Sequence, residues 1–352
     1  MSQSAEPMNV AELRQRFLEQ DVRVQRRPAD TQDSPYVPIH LEGLMAGERL
    51  TFSLFLKVTA GALGEVQISP YLTEGEVLEG SWLDKLKALG VRQLYLHHQD
   101  LDKAIAYLNN HLLVKSGGEV QSSQEYCVMR EHLNFTLRRA FTSPHLGQHA
   151  VLAKSSLNKL LNSLGRQGLT WKFIWDLLYK DYTLYNHSVN VAVLGLSTAV
   201  FLRKSRQECL IMGMAGLFHD LGLTRIREDI IFKLEPLVPE EWETLKRHPC
   251  LGYQLLKGNA EIPVGALRLV LEHHELADGS GYPQGLALGR QHPLTRVLSL
   301  LEAYDGLTLY RPYRPRQTPY EALKTLQEQT GSRGKAFEPQ TLKKFIEFLA
   351  LT

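Results

Sequence analysis

Two hydrophobic periods divide the chain. Over residues 36–117 apolar positions come in short runs rich in strand formers, such as Leu50-Thr51-Phe52-Ser53-Leu54-Phe55-Leu56-Lys57-Val58, interleaved with helical spacing. Strands are predicted over 50–58, 66–72 and 91–96, and helices over 80–89 and 100–113, with Gly90 as a natural helix stop. After Gly117-Gly118 the apolar spacing becomes i, i+3, i+4 and stays so. It predicts helices over 121–141, 150–164, 169–179, 188–203, 208–218, 239–248, 252–256, 263–273, 293–305, 319–329 and 339–351. Proline opens several of them, which suits a first helical turn. Ahead of these, residues 10–20 read as a short helix and 23–35 as a polar linker. The expected architecture is an α+β N-terminal module followed by an all-α domain: helix and linker over 1–35, a small α+β regulatory module over 36–117, and a helical domain over 118–352.

Composition narrows the class. Hydrophobic residues make up 43% of the 352, enough for a packed core. The formal net charge of +2 lacks the basic excess of a general nucleic-acid binder, so no nucleic-acid polymer is expected as partner. Cys127, Cys209 and Cys250 show no CxxC spacing and read as free thiols of a reducing cytoplasm. Residues 1–9 are polar and lack an apolar signal core. The most apolar helical stretch, 189–202, carries Asn190, Ser197 and Thr198 and is short for a membrane span. It reads as a buried helix, and a cytoplasmic protein with no membrane span is expected.

The candidate chemistry lies in the helical part. His97-His98 in the module has no acidic or second histidine motif beside it and reads as a surface pair. His187 lies near the start of an apolar helix, and His219-Asp220 follows the apolar run 210–218. His248-Pro249 is expected to end the 240–247 helix, and His273-His274 the 264–272 helix. Glu302 and Asp305 lie one turn apart on one helix face. One such histidine alone reads as a satisfied structural residue. Five of them at helix ends or on apolar faces ask for a shared cause, and helix bundles build metal sites from facing side chains in this way. Mixed imidazole and carboxylate donors suit Fe, Mn, Ni, Co or Zn, and the sequence chooses none of them.

The same residues sit in longer motifs: His187-Ser188, His219-Asp220-Leu221-Gly222, Glu240-Glu241, His248-Pro249, His273-His274-Glu275, Asp278-Gly279-Ser280-Gly281-Tyr282-Pro283-Gln284-Gly285-Leu286 and Arg311-Pro312-Tyr313-Arg314. In these the chain resembles the HD-GYP family, a branch of the HD phosphohydrolases that cleaves cyclic di-GMP. The resemblance spans about 181–314 by motif. It implies an HD-domain helical bundle holding two divalent metal ions. His187, His219, Asp220 and Glu302 would hold one ion, and Asp220, His248, His273 and His274 the other, with Asp220 bridging and His219-Asp220 at the catalytic centre. It further implies attack by a metal-bridging hydroxide that opens cyclic di-GMP to linear pGpG, with GMP as a further product left open, in bacterial second-messenger signalling. Arg311 and Arg314 would bind substrate phosphate. Gly281, Tyr282 and Pro283 would form an architectural loop that meets partners such as GGDEF-type proteins. Asp305 would be structural behind the ligands, with a ligand role as the alternative.

The chain departs from that pattern in three places. Thr183 stands where a third ion would need glutamate, so two ions are expected. Glu302 stands where aspartate is usual. Leu223 stands where a phosphate-facing lysine is usual, and Arg225 or Arg227 are the candidates to replace its charge. Two other readings therefore stay open beside the enzyme: a catalytically weak or inactive cyclic di-GMP receptor or scaffold, and an HD hydrolase of another cyclic nucleotide. A homodimer formed through the N-terminal module or the 121–141 helix is a further expectation.

Overall fold

The computed structural model describes residues 23–24, 35–60, 65–112, 122–143, 146–164, 178–179, 183–233, 235–310, 315–330 and 336–351. The helices expected over 10–20 and 169–179 fall wholly or almost wholly outside them, as do Arg311 and Arg314. The described residues form two compact units. One holds those up to Leu112 with 124–135, and the other holds 122–123 and those from Thr136 onward.

The first unit is built on an antiparallel sheet. Its strands are β1 (Arg23–Val24), β2 (Tyr36–His40), β3 (Leu54–Ala60), β4 (Glu65–Leu72) and β5 (Gln93–His97). β3 pairs with β1, β4 and β5, and β5 pairs with β2 with Tyr36 opposite His97. Helices α1 (Gly80–Ala88) and α2 (Leu101–Asn110) belong to this unit. α1 stops just ahead of Gly90, as the sequence predicts. Two expectations change. The 50–58 strand begins only at Leu54, because the backbone of Leu50 is spent on Gly75 and Glu76. The His97-His98 pair is half-buried rather than on the surface: His97 Nδ1 accepts the Gln99 N–H at 3.2 Å and its ring packs edge-on to Tyr36.

Helices α3 (Ser123–Thr142) and α4 (Leu146–Leu164) lead into the second unit, with α3 shared between the two. Then follow α5 (Leu184–Phe201), α6 (Arg206–Phe218), a 3-10 turn (Leu221–Arg225), α7 (Glu228–Ile231), α8 (Pro239–Leu245), α9 (His248–Leu256), α10 (Val264–Glu272), α11 (Pro293–Thr308), α12 (Pro319–Thr330) and α13 (Pro339–Leu349). α5 carries the 189–202 apolar stretch and is buried on nearly every face against α6, α11 and α4. Its start is fixed by Thr183, whose hydroxyl accepts the Asn186 N–H at 3.0 Å. That capping role is what Thr183 does at the position examined for a third-ion glutamate. Ser205 and Glu208 form a reciprocal capping box on α6.

The helix expected over 239–248 stops at Leu245, and the one expected over 252–256 starts four residues earlier, at His248. Pro249 has no N–H to offer the Leu245 carbonyl four residues back, so α8 ends at Leu245 and α9 starts afresh at His248. His248 therefore opens a helix instead of ending one. No helix among the described residues is long and apolar enough to cross a membrane. Cys127, Cys209 and Cys250 form no disulfide.

Candidate metal centre

Three of the site histidines are oriented by the helix ends that carry them. A helix terminus leaves carbonyls without N–H partners. His219, at the end of α6, directs Nδ1 to the Gly216 carbonyl at 2.8 Å. His273, at the end of α10, directs Nδ1 to the Val270 carbonyl at 2.7 Å. His248 directs Nδ1 to the Leu245 carbonyl at 2.8 Å, the oxygen that Pro249 left without a donor. With Nδ1–H committed to a carbonyl, each ring turns its Nε2 lone pair into the site.

His187, in the first turn of α5, is held instead by a carboxylate. Its Nδ1 meets Asp305 Oδ2 at 2.7 Å, and Asp305 Oδ1 accepts the Asn190 amide at 2.9 Å. Asn190 also clasps the Tyr179 backbone, donating to its carbonyl at 3.0 Å and accepting its N–H at 2.8 Å. Asp305 thus faces the outer nitrogen of His187. Removing it frees the ring to rotate, so Asp305→Ala is expected to weaken metal binding by roughly ten- to a hundredfold, read by competition against a chelating dye.

The inward-facing atoms converge. The ligand atoms of His187, His219 and Glu302 lie within 4.8 Å of one another, and so do those of His248, His273 and His274. A third such group, His219, Asp220 and His273, joins the two. Asp220 divides its oxygens between them: Oδ2 is 3.2 Å from His219 Nε2, and Oδ1 is 3.3 Å from His248 Nε2 and 4.0 Å from His273 Nε2. His274, a quarter exposed, has Nδ1 3.7 Å from Glu302 Oε2. Glu302 therefore reaches the cluster.

Two features fit this donor set to cations. His248 Nε2 and His273 Nε2 approach to 3.1 Å although both rings spend their N–H elsewhere, so two lone pairs face each other. His219 Nε2 is fully buried and faces the Asp220 carboxylate at 3.2 Å. Buried acceptors without donors are costly, and a divalent ion is a partner they can share.

Protonation follows from burial and charge. Burial, followed by the neighbouring imidazoles, holds the pKa of His273 well below the ordinary histidine value. Burial does the same to His274 and, less strongly, to His248. All three shifts favour the neutral imidazole, the form that can donate a lone pair to a cation. Burial also pushes His219 down, but the charge and hydrogen bond of Asp220 outweigh it and carry its pKa up to about 9. Burial opposes ionisation of Asp220, yet His219 and the other imidazoles keep its carboxyl well below the usual range. A raised pKa means His219 holds a proton below about 9 that an ion must displace. Metal uptake near pH 7 is therefore expected to release about one proton, with apparent affinity climbing as pH rises and levelling above the His219 pKa. Calorimetry in buffers of different ionisation enthalpy reads that proton; uptake with no release contradicts it.

The Gly281–Pro283 loop closes over this centre. Gly281 has no room for a Cβ, which would overlap Leu276 N and the His274 carbonyl. Tyr282 returns its N–H to that carbonyl at 3.1 Å and stacks on the His274 ring at 4.6 Å between centroids. From within, buried Glu275 accepts the N–H groups of Gln284 and Leu286, each at 2.6 Å. Nothing in the His273-His274-Glu275 motif announces this role. Two backbone donors meeting one carboxylate show only in three dimensions.

A cavity of about 540 Å³ opens beside the centre, within the usual size of small-molecule sites. His187, Asp220, His248, His274 and Glu302 line it, together with Leu223, Ile230, Lys233, Trp242 and Tyr282. Leu223 is buried in an apolar cluster with Leu184, Ile226 and Ile230. Arg225 and Arg227, expected to replace a cation there, do not line the cavity: Arg225 is exposed, and Arg227 is spent on Asp229.

Comparison with known proteins agrees with the site. Residues 176–334 match the family model described as an HD domain. The response regulator RpfG of Xanthomonas campestris, named a cyclic di-GMP phosphodiesterase, is 41% identical over 139 residues, covering 39% of this chain and 35% of its own length. A Pseudomonas aeruginosa protein named a cyclic di-GMP phosphodiesterase is 32% identical over 171 residues, 49% of this chain and 40% of its own length. The chain thus spans well under half of these relatives. The solved structure of Bd1817 from Bdellovibrio bacteriovorus, described as an HDGYP protein, shares the fold with a TM-score of 0.64 at 19% identity, covering 90% of this chain and 99% of that one. Residues 176–334 of this chain, the span in which its ligand motifs converge, are thus similar to the HD domain family and to relatives named cyclic di-GMP phosphodiesterases.

Proposed function

We propose that this chain is a metal-dependent phosphodiesterase that opens cyclic di-GMP to linear pGpG. The observation that carries the reading is Asp220, with one oxygen toward His219 and the other toward His248 and His273, at the wall of a ligand-sized cavity. The names of the related proteins support cyclic di-GMP as the substrate.

In this reading His187, His219 and Glu302 would hold one divalent ion and His248, His273 and His274 a second, with Asp220 available to both. When bound, such a pair supplies hydroxide near neutral pH and neutralises charge developing on a phosphoryl group. The chain's own part is to fix that geometry. Helix-end carbonyls and Asp305 lock the rings so that donor positions are set before substrate arrives. Leu223 and Ile230 give the cavity an apolar wall that takes base and ribose surface and thins the water around the reacting phosphate. No side-chain nucleophile is needed. Arg311 and Arg314 are assigned to phosphate on the resemblance, and the Gly281–Pro283 loop to GGDEF-type partners on the same ground.

The test is turnover. Purified protein loaded with manganese or iron is incubated with cyclic di-GMP and, separately, with another cyclic dinucleotide, and products are separated by chromatography. pGpG from cyclic di-GMP, absent in His219→Ala, is the expected result. Binding without product under every metal makes the chain a receptor instead. Product only from the other dinucleotide moves the substrate.

A further inference from the structure

The cavity beside the ligand cluster holds one described Lys or Arg side chain, Lys233. It follows the short α7, and its Nζ lies 2.7 Å from both carboxylate oxygens of Glu241. Glu241 is itself fixed: its Oε2 accepts the Val238 N–H at 2.9 Å at the start of α8. The pair is about three-quarters buried, 24% and 25% exposed. An ammonium has three donors and a carboxylate has two oxygens to offer it. One N–H of Lys233 is therefore left for another acceptor, on a side chain whose position the carboxylate already sets.

The rest of the wall makes that donor matter. Leu223, Ile230, Ile231, Leu237 and Leu245 supply apolar surface, and Glu235 adds an exposed negative charge. An anionic substrate entering here meets the ligand cluster and, among the described lining residues, a single fixed cation.

We propose that Lys233, braced by Glu241, binds a phosphate of the substrate in this cavity. This deepens the phosphodiesterase reading and rests on it for the identity of the substrate. The chemical class required is a phosphate ester, whose oxygen accepts a charge-assisted hydrogen bond from Nζ. Lys233 acts on substrate affinity and orientation, not on bond breaking.

The experiment uses the full chain loaded with manganese and titrates it with inorganic phosphate by calorimetry. Lys233→Gln is expected to weaken phosphate binding about tenfold, the size of one charge-assisted hydrogen bond. Lys233→Arg restores most of it, and Glu241→Gln, which keeps the cation but loosens its brace, falls between wild type and Lys233→Gln. With cyclic di-GMP as substrate, Lys233→Gln raises KM by a similar factor and changes kcat little. If Lys233→Gln does not fold, the double variant K233Q/E241Q leaves no unpaired carboxylate and must show the same loss. Equal phosphate affinity in wild type and variant, or no phosphate binding by wild type, overturns the proposal whatever the turnover assay gives. Phosphate binding that depends on Lys233 in a protein that does not turn over cyclic di-GMP keeps the proposal and sinks the phosphodiesterase reading instead.

Discussion

Asp220→Asn is expected to lower turnover on the order of a thousandfold and to reduce the metal bound per chain. Asparagine keeps the size of aspartate but leaves one oxygen and no charge. The two oxygens of Asp220 face different imidazoles, at 3.2 Å on one side and 3.3 Å on the other, so the substitution removes the shared donor while filling the same space. Metal stabilisation of a phosphoryl transition state is worth several kcal/mol, and each ~1.4 kcal/mol is a factor of ten. The substitution carries an internal control. Asp220 is what raises His219, so in Asp220→Asn the ring loses that support and the proton released on metal uptake near pH 7 disappears. Rates from a coupled assay and metal content by mass spectrometry read the two effects separately. Full metal content with full activity would remove Asp220 from the centre.

Gly222→Ala is the second large effect, and it acts through backbone. A Cβ at Gly222 would overlap the His248 carbonyl oxygen and sit 2.8 Å from the His248 carbonyl carbon. Neither atom can rotate away. The 3-10 turn after His219-Asp220 packs closely on α9, whose first residue is His248. Making room means separating two elements that each carry ligands. Overpacking of this kind costs about 3 kcal/mol, and here the strain falls on the metal centre as well. Denaturant melts with and without manganese should show lower stability in both and a smaller gain from the metal. A variant that gains as much from manganese as wild type would show that the turn and α9 can part without moving the ligands.

Much of this site was legible in the sequence, for a physical reason. His219 and His273 lie where helical periodicity ends, and a histidine at a helix end can pair Nδ1 with an orphan carbonyl. Residue type and helix boundary together therefore announce an oriented ligand. The single residue that bridges the motifs, Asp220, was also legible because it adjoins His219. The errors have causes too. Pro249 signals a new helix, but apolar spacing on both sides of it moved the expected break from before His248 to after it. Strand β2 was missed because Tyr36–His40 contains Pro38 and shows no alternation, with Val37 to Ile39 all buried. The replacement cation was sought next to Leu223, in Arg225 and Arg227, because sequence offers only nearness along the chain. Lys233 reaches the cavity from ten residues away, through a turn and a carboxylate partner that only the fold brings together. Asn190, which ties Asp305 to the Tyr179 backbone, read as a polar interruption of an apolar helix.

Anomalous X-ray scattering from crystals of the manganese-loaded chain tests the central claim most directly. Two peaks are expected, one among His187, His219 and Glu302 and one among His248, His273 and His274, with an Asp220 oxygen about 2.0–2.3 Å from each. A single peak, or two peaks with Asp220 bound to neither, would contradict it.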